Sequence, residues 1–211
     1  MSSQELHNLE TAQLCLDYVN TLSYRYSTHP EEHLENYISL LDWAQNAGLL
    51  VEDEAGQLRQ LAKTQPAEAE LAFKEAIGLR ESLCRILAAQ VRSSSAVEGD
   101  LQAFNRSLGG VMGHSRLSAG PNGYQWGWNE ELSPRLERPW WPVVHSAAEL
   151  LTSPQLLERL GQCADPQCGW LFLDTSKSRT RKWCDINDCG NRAKQRKFQE
   201  KKRGREKIGN N

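Results

Sequence analysis

The sequence predicts a mostly α protein, with a helical N-terminal domain that carries one β-hairpin and a small C-terminal unit built on four cysteines. Three observations predict it. Apolar residues recur at helical spacing through most of the first 160 residues. One stretch alternates about a Pro-Asn-Gly turn, as hairpins do. Two cysteine pairs with identical gaps, Cys163–Cys168 and Cys184–Cys189, stand fifteen residues apart near the end. The boundaries implied are 1–160 for the helical domain, 161–203 for the cysteine unit with a basic helix, and 204–211 for a disordered tail.

Taken in order, residues 9–24 read as a helix with Leu9, Ala12, Leu16 and Val19 on one stripe and Leu14, Tyr18 and Leu22 on a second. Asp17 and Asn20 share a face of it, either as a polar edge bonded locally or as a wall of a ligand pocket. A helix from Asn36 to Ala47 turns Tyr37, Leu40, Leu41 and Ala44 inward, with Gly48 beyond its end. A short helix from Ala55 to Lys63 follows. Pro66 opens the longest helix, to Val91, on a stripe of Ala69, Ala72, Ala76, Leu79, Leu83 and Ile86. Gly78 interrupts it where another helix is expected to approach. Arg80 and Glu81 are either a solvated pair or part of a polar pocket.

Asp100 to Leu108 reads as a helix closed by Gly109-Gly110, and Arg116 to Trp128 as the hairpin. Tyr124, Trp126 and Trp128 then share one face. That face either covers the core or lines a small-molecule cavity with Trp140, Trp141 and His145. A helix from Pro139 to Leu151 carries Trp140, Val144, Ala147, Ala148 and Leu151. Ser153 and Pro154 start the next, which runs to Leu160 and ends at Gly161. No Pro/Ser-rich linker intervenes, so the cysteine unit is tethered tightly to the helices.

Each four-residue gap lets the chain turn back so that both thiolates of a pair meet one ion, and the insert brings the pairs into a tetrahedron. Zinc suits Cys163, Cys168, Cys184 and Cys189, since it accepts four soft thiolates without redox demands. Disulfides, an iron–sulfur cluster and ordinary buried cysteines are the alternatives. Four thiolates and Zn2+ leave a charge of minus two, which Arg179, Arg181, Lys182 and Arg192 stand close enough in sequence to offset. Trp170 to Leu173 reads as one strand, Asp174 to Ser178 as a turn, Trp183 as the start of the return, and a helix begins near Cys189. Together these make a treble-clef-like four-cysteine zinc finger too small to fold without its metal. Cys15 and Cys84, alone in helical patterns, read as buried small side chains.

Charge divides the chain. Residues 1–174 hold 12 Lys/Arg against 23 Asp/Glu, a balance of minus eleven; residues 175–211 hold 13 against 4, a balance of plus nine. Only the C-terminal part has the electrostatics to hold a polyanion. Past Cys189 the helix-compatible run has Ala193 and Phe198 as its only apolar side chains up to Arg203. It is predicted to set Arg192, Lys194, Arg196, Lys197, Lys201 and Lys202 against duplex DNA, with Arg179, Arg181, Lys182 and Asn191 beside them. The alternative is a frayed, solvated tail. The polar, acidic first ten residues show no signal peptide, no apolar run spans a bilayer, and the cysteine usage fits the cytoplasm. The five histidines form no ligand spacing and no phosphate-binding glycine loop is present, so no enzyme is expected. An RNA-binding or protein-interaction finger is the runner-up. Oligomeric state is not encoded legibly.

Cys163 to Cys168, Gly169 to Ser176, Arg181 to Cys184 and Cys189-Gly-Asn-Arg192-Ala-Lys194 resemble the CGNR zinc-finger family. Leu14 to Leu22, Leu40 to Trp43 and Ala47 to Leu50 resemble the helical ABATE domain that precedes this finger. The resemblance implies a stress-linked transcription regulator that binds DNA, without naming an effector.

Overall fold

Tyr18 shows how the helical domain is assembled. It lies on α1 (Ser3–Val19), fully buried; its ring sits 5.1 Å from that of Trp43 on α2 (Tyr37–Asn46). Its hydroxyl donates to the Ala76 carbonyl at 2.7 Å, on α4 (Pro66–Val91). One side chain thus joins three helices by apolar burial and a satisfied polar tip. The structure, a computed structural model, describes residues 3–120, 123–129 and 134–208, with the side chains of all of these except 3–10, 201 and 203–208.

Around this centre stand α3 (Glu52–Thr64), α5 (Glu98–Met112), α6 (Trp141–Thr152) and the single turn α7 (Pro154–Leu157). Asn36 caps α2, accepting from the Ile38 and Ser39 amides at 2.9 and 3.0 Å. The Ser146 hydroxyl pins α6 to α1, donating to Thr11 O at 2.7 Å while accepting from Cys15 N at 2.9 Å. Cys15 is buried beside it, and burial pushes its thiol up to about 12. The sheets are three antiparallel pairs: β1 (Leu22–Ser23) with β2 (Glu31–Glu32), β3 (Ser115–Gly120) with β4 (Gly123–Trp128), and β5 (Leu160–Gln162) with β6 (Leu171–Leu173). A last helix, α8 (Asn191–Ile208), closes the chain.

The differences from expectation have physical causes. The first helix stops at Val19, because Arg80 draws the following residues into a bridge. Arg80 is 2% exposed and donates to both Glu32 oxygens at 2.6 Å and to the Thr21 hydroxyl at 3.1 Å. Arg80 also donates to Glu81 at 3.0 Å, so the two do pair, but on a buried guanidinium rather than in solvent. Helix α5 runs through Gly109-Gly110 to Met112, since burying Val111 outweighs a glycine cost of about 1 kcal/mol. At Gly78 no helix approaches: an added Cβ would meet nothing within 4 Å. The helix expected to run from Pro154 to Leu160 stops at Leu157, and Leu160 and Gly161 belong to β5, with Leu160 facing Leu173. Trp140 lies in a 3-10 turn, Arg138–Trp140, just before α6. Residues 204–208 continue α8 where a disordered tail was expected, and 209–211 lie outside the described residues, as does the Pro121-Asn122 turn.

Burial works to raise the Glu32 carboxyl, but its bonds from Arg80 and from the Leu34 amide overcome this and hold it below its ordinary value of 4.5. A lowered carboxyl contributes stability that is complete above that value and lost as pH falls through the folded one. Arg80→Met is expected to destabilise the protein by about 2 kcal/mol, the buried-pair cost discounted because Glu32 is partly solvated. Urea unfolding of both proteins should show the difference at neutral pH and its shrinkage in acid.

Candidate metal centre and nucleic-acid interface

The hairpin of β5 and β6 turns at the first cysteine pair. Cys163 N donates to Trp170 O at 2.8 Å and Cys168 N to Asp165 O at 3.1 Å, so both side chains come out on one side of a tight knuckle. Gly169 follows at φ +78, and a Cβ there would come within 2.9 Å of the Tyr26 ring. The second pair straddles a wide helical turn, Ile186–Gly190, whose start is held by Asp185 accepting from the Asn187 amide at 2.6 Å.

The four sulfurs lie within 4.8 Å of one another; Cys168 to Cys184 is 3.6 Å and Cys184 to Cys189 is 3.5 Å. A disulfide needs about 2 Å, so none is formed. Metal–sulfur bonds of about 2.3 Å on a tetrahedron place sulfurs about 3.8 Å apart, close to what is seen. A multi-iron cluster would spread them further. The donor set therefore fits one four-coordinate ion. Crowded thiols share their protons: hydrogen bonds from Cys168 and Cys184 hold Cys163 far down, while the same bonds push Cys168 and Cys184 up. A bound cation takes the place of those protons.

Arg192, expected at DNA, is turned inward. It donates to Cys189 Sγ at 2.8 Å, the Asp165 carboxylate at 3.0 Å, Asp188 at 2.7 Å and the Tyr24 hydroxyl at 3.0 Å. Asp165 is fully buried and also receives Arg196 at 3.3 Å. Arg181 lies over the Phe172 ring and donates to the Trp183, Leu173 and Cys184 carbonyls. Asn191 donates to Asn187 O at 2.7 Å, bracing the turn. These four side chains hold the finger together, because thiolates and a buried carboxylate need nearby donors. Arg179 pairs with Glu158 at 3.0 Å, both well exposed, a pair of little strength. Lys182, Lys194, Lys197 and Lys202 have no acidic partner among the described residues. Lys194 and Lys197 stand at helical spacing on α8, offset from the Arg192–Arg196 row, with Phe198 72% exposed on the same helix.

Asn20 also has a different place from the expected one. Its amide donates to Leu171 O at 2.8 Å and accepts from Leu171 N at 3.0 Å, so it fastens β6 to the end of α1. Arg25 N and Tyr26 N donate to the Cys168 and Gln167 carbonyls. Asp17, Trp126, Trp128 and His145 do come together, in a groove of about 600 Å3. Trp140 does not join them and lines another cleft beside Gly78 and His114. Sequence reasoning missed Asp165 and Tyr24. Asp165 was legible as an acid inside the knuckle; Tyr24 carried no signal.

The ABATE family model, described as "Putative stress-induced transcription regulator", matches residues 12–154. The CGNR zinc finger model matches residues 159–202. Among curated proteins, none matches the chain.

Arg192→Lys keeps the charge but loses the fork that reaches four partners. It is expected to weaken metal retention by about tenfold or more, the usual range for groups that orient metal ligands. Competition with a chromophoric chelator measures this; retention equal to that of the parent would mean the arginine is not structural.

Proposed function

The chain belongs to the ABATE family and carries a CGNR zinc finger, and from that premise we propose that it is a cytoplasmic DNA-binding transcription regulator. The observation that supports this most is the outward side of α8. Lys194 and Lys197 have no acidic partner among the described residues, the base of the helix is fixed to the four-cysteine centre, and the rest of the molecule is acidic. Such a rod meets phosphates as a row of point charges. The metal we assign is zinc: four thiolates on a tetrahedron suit it, and they leave no open position for a catalytic water, so its role is structural, in keeping with a regulator rather than an enzyme. Among the described residues no helix is long and apolar enough to cross a membrane.

The helical domain is the receiver in this reading, taking a small-molecule effector. Through Asn20 and residues 24–26 it touches the knuckle directly, so a shift at the end of α1 reaches the finger without a flexible linker. A second reading rests on Phe198: an exposed aromatic among lysines can stack on unpaired bases, as single-strand binders do.

Elemental analysis is expected to find one zinc per chain. Duplex binding should fall with salt at a log–log slope of about −4 to −6 if about five or six phosphates are met. Lys194→Glu with Lys197→Glu should weaken binding to all duplexes alike. Measured at one salt concentration, tighter binding to single strands or RNA, lost in Phe198→Ala, would favour the second reading.

A further inference from the structure

The groove between α1, α6 and β4 has one-sided chemistry. It is walled by Leu14 and Asp17 of α1, Trp126 and Trp128 of β4, and His145 and Glu149 of α6. Among the described residues no lysine or arginine lines it, though the Arg138 guanidinium stands 5.3 Å from the Trp128 ring. Apart from the indole N–H groups of Trp126 and Trp128, its open polar groups accept hydrogen bonds. Asp17 takes only the Gln13 amide, at 2.7 Å, and the Glu149 carboxylate has no partner among the described residues. The Ser115 hydroxyl donates to Val111 O at 2.9 Å, so it accepts from His145 Nε2 at 3.0 Å and the lone pair of Nδ1 is left available. Burial lowers the His145 basicity, more than Glu149 raises it, so the ring is neutral at neutral pH and offers no cation of its own. Desolvation pushes the Asp17 carboxyl above its ordinary value of 3.8, Gln13 only partly opposing this. Two of the groove's donors are engaged elsewhere: the Ser146 hydroxyl is on Thr11 O and the Gln13 amide on Asp17.

The aromatic wall completes the pattern. Trp126 is 50% exposed; its ring stands edge-on to His145 at 4.8 Å, and Trp128 stands 5.5 Å from the same histidine. An open indole face beside two carboxylates attracts a cation by its quadrupole and the carboxylates by charge. The field of the acidic residues 1–174 acts in the same sense.

We infer that this groove binds a small organic cation with N–H donors, a protonated amine, whose ammonium meets Asp17, Glu149 and His145 while its apolar body lies on Trp126. The inference rests on the reading of the helical domain as a receiver and gives that receiver a ligand class. Asp17 stands one turn before Asn20, the residue that holds β6, so occupancy bears on the last turn of α1 and through it on the finger.

Calorimetric titration of the metal-loaded full chain tests it with butylamine, benzylamine and spermidine as probes, and with benzyl alcohol and benzoate as neutral and anionic counterparts. The amines should give saturable binding, with benzyl alcohol and benzoate weaker by about tenfold or more. Asp17→Asn with Glu149→Gln, which preserves shape, should reduce amine binding by a similar factor, and Trp126→Leu should reduce it while leaving the melting curve in place. Equal binding of benzyl alcohol, a preference for benzoate, or no saturation by any amine would overturn the inference. So would loss of a dimer in Trp126→Leu by sedimentation, which would make the groove a contact with a second copy. Duplex binding is measured separately: if it stands while amine binding fails, only the ligand class is wrong, and if it fails while amines bind, the regulator reading is wrong.

Discussion

Four sulfurs held within 4.8 Å of one another concentrate more negative charge than one divalent ion removes, and much of the C-terminal architecture answers that excess. Arg192 brings its guanidinium onto Cys189, but a guanidinium so placed has further donors to satisfy. Asp165, buried at the heart of the knuckle, takes one of them, and its own charge is held by the Gln167 amide together with Arg192 and Arg196. Tyr24 takes another with its hydroxyl, its ring centroid 4.8 Å from the guanidinium. Tyr24 does this from a left-handed backbone, φ 50, which costs a non-glycine residue about 1–2 kcal/mol. A residue of the helical domain is thus held in an unfavourable conformation to complete the surroundings of the metal site.

The same interlocking appears in the packing. Leu160, Leu171 and Leu173 belong to the core of the helical domain, whereas Cys163, Cys168 and Cys189 form a separate small cluster with Trp170 and Trp183 against it. The hairpin of the finger therefore buries its leucines among the helices while Phe172, between two of them, lies under Arg181. Period-two alternation makes this division possible: one face of β6 serves the domain and the other serves the finger. Metal and core stabilise one continuous structure, and the boundary near residue 160 is a change of sequence family more than a physical gap.

What the sequence disclosed was local. The helical stripes, the hairpin and the four ligands all depend on residues within a few positions of one another, where periodicity and spacing are legible. What it hid was paired at long range. Arg80 meets Glu32 across 48 residues, Asn20 meets Leu171 across 151, and Arg192 meets Tyr24 across 168. Nothing in the neighbourhood of Arg80 or Asn20 distinguishes a buried partner from a solvated side chain. Gly78 misled for a related reason: a glycine inside a helix is equally compatible with a close neighbour and with open space, and here it borders a cleft. The charge division was legible, but not which cations would remain free.

That last distinction bears on how a nucleic acid can be met. A planar arginine fork is the group best matched to a guanine edge, and Arg181, Arg192 and Arg196 are committed within the finger. Lys182, Lys194, Lys197 and Lys202 remain, flexible ammonium groups whose natural partners are phosphates. Asn191, the other candidate for a base edge, has its amide on Asn187 O. With Arg181, Arg192 and Arg196 so engaged, the proposed contact with a nucleic acid would rest on the lysines, and so on its backbone. On the proposed reading, discrimination between sequences would then depend on how well a given duplex fits that shape, since groove width and bendability vary with sequence even where no base is touched. The paired hydrogen bonds at Asn20 suit such a mode: a shift there would alter the shape presented, and so the fit to every site together.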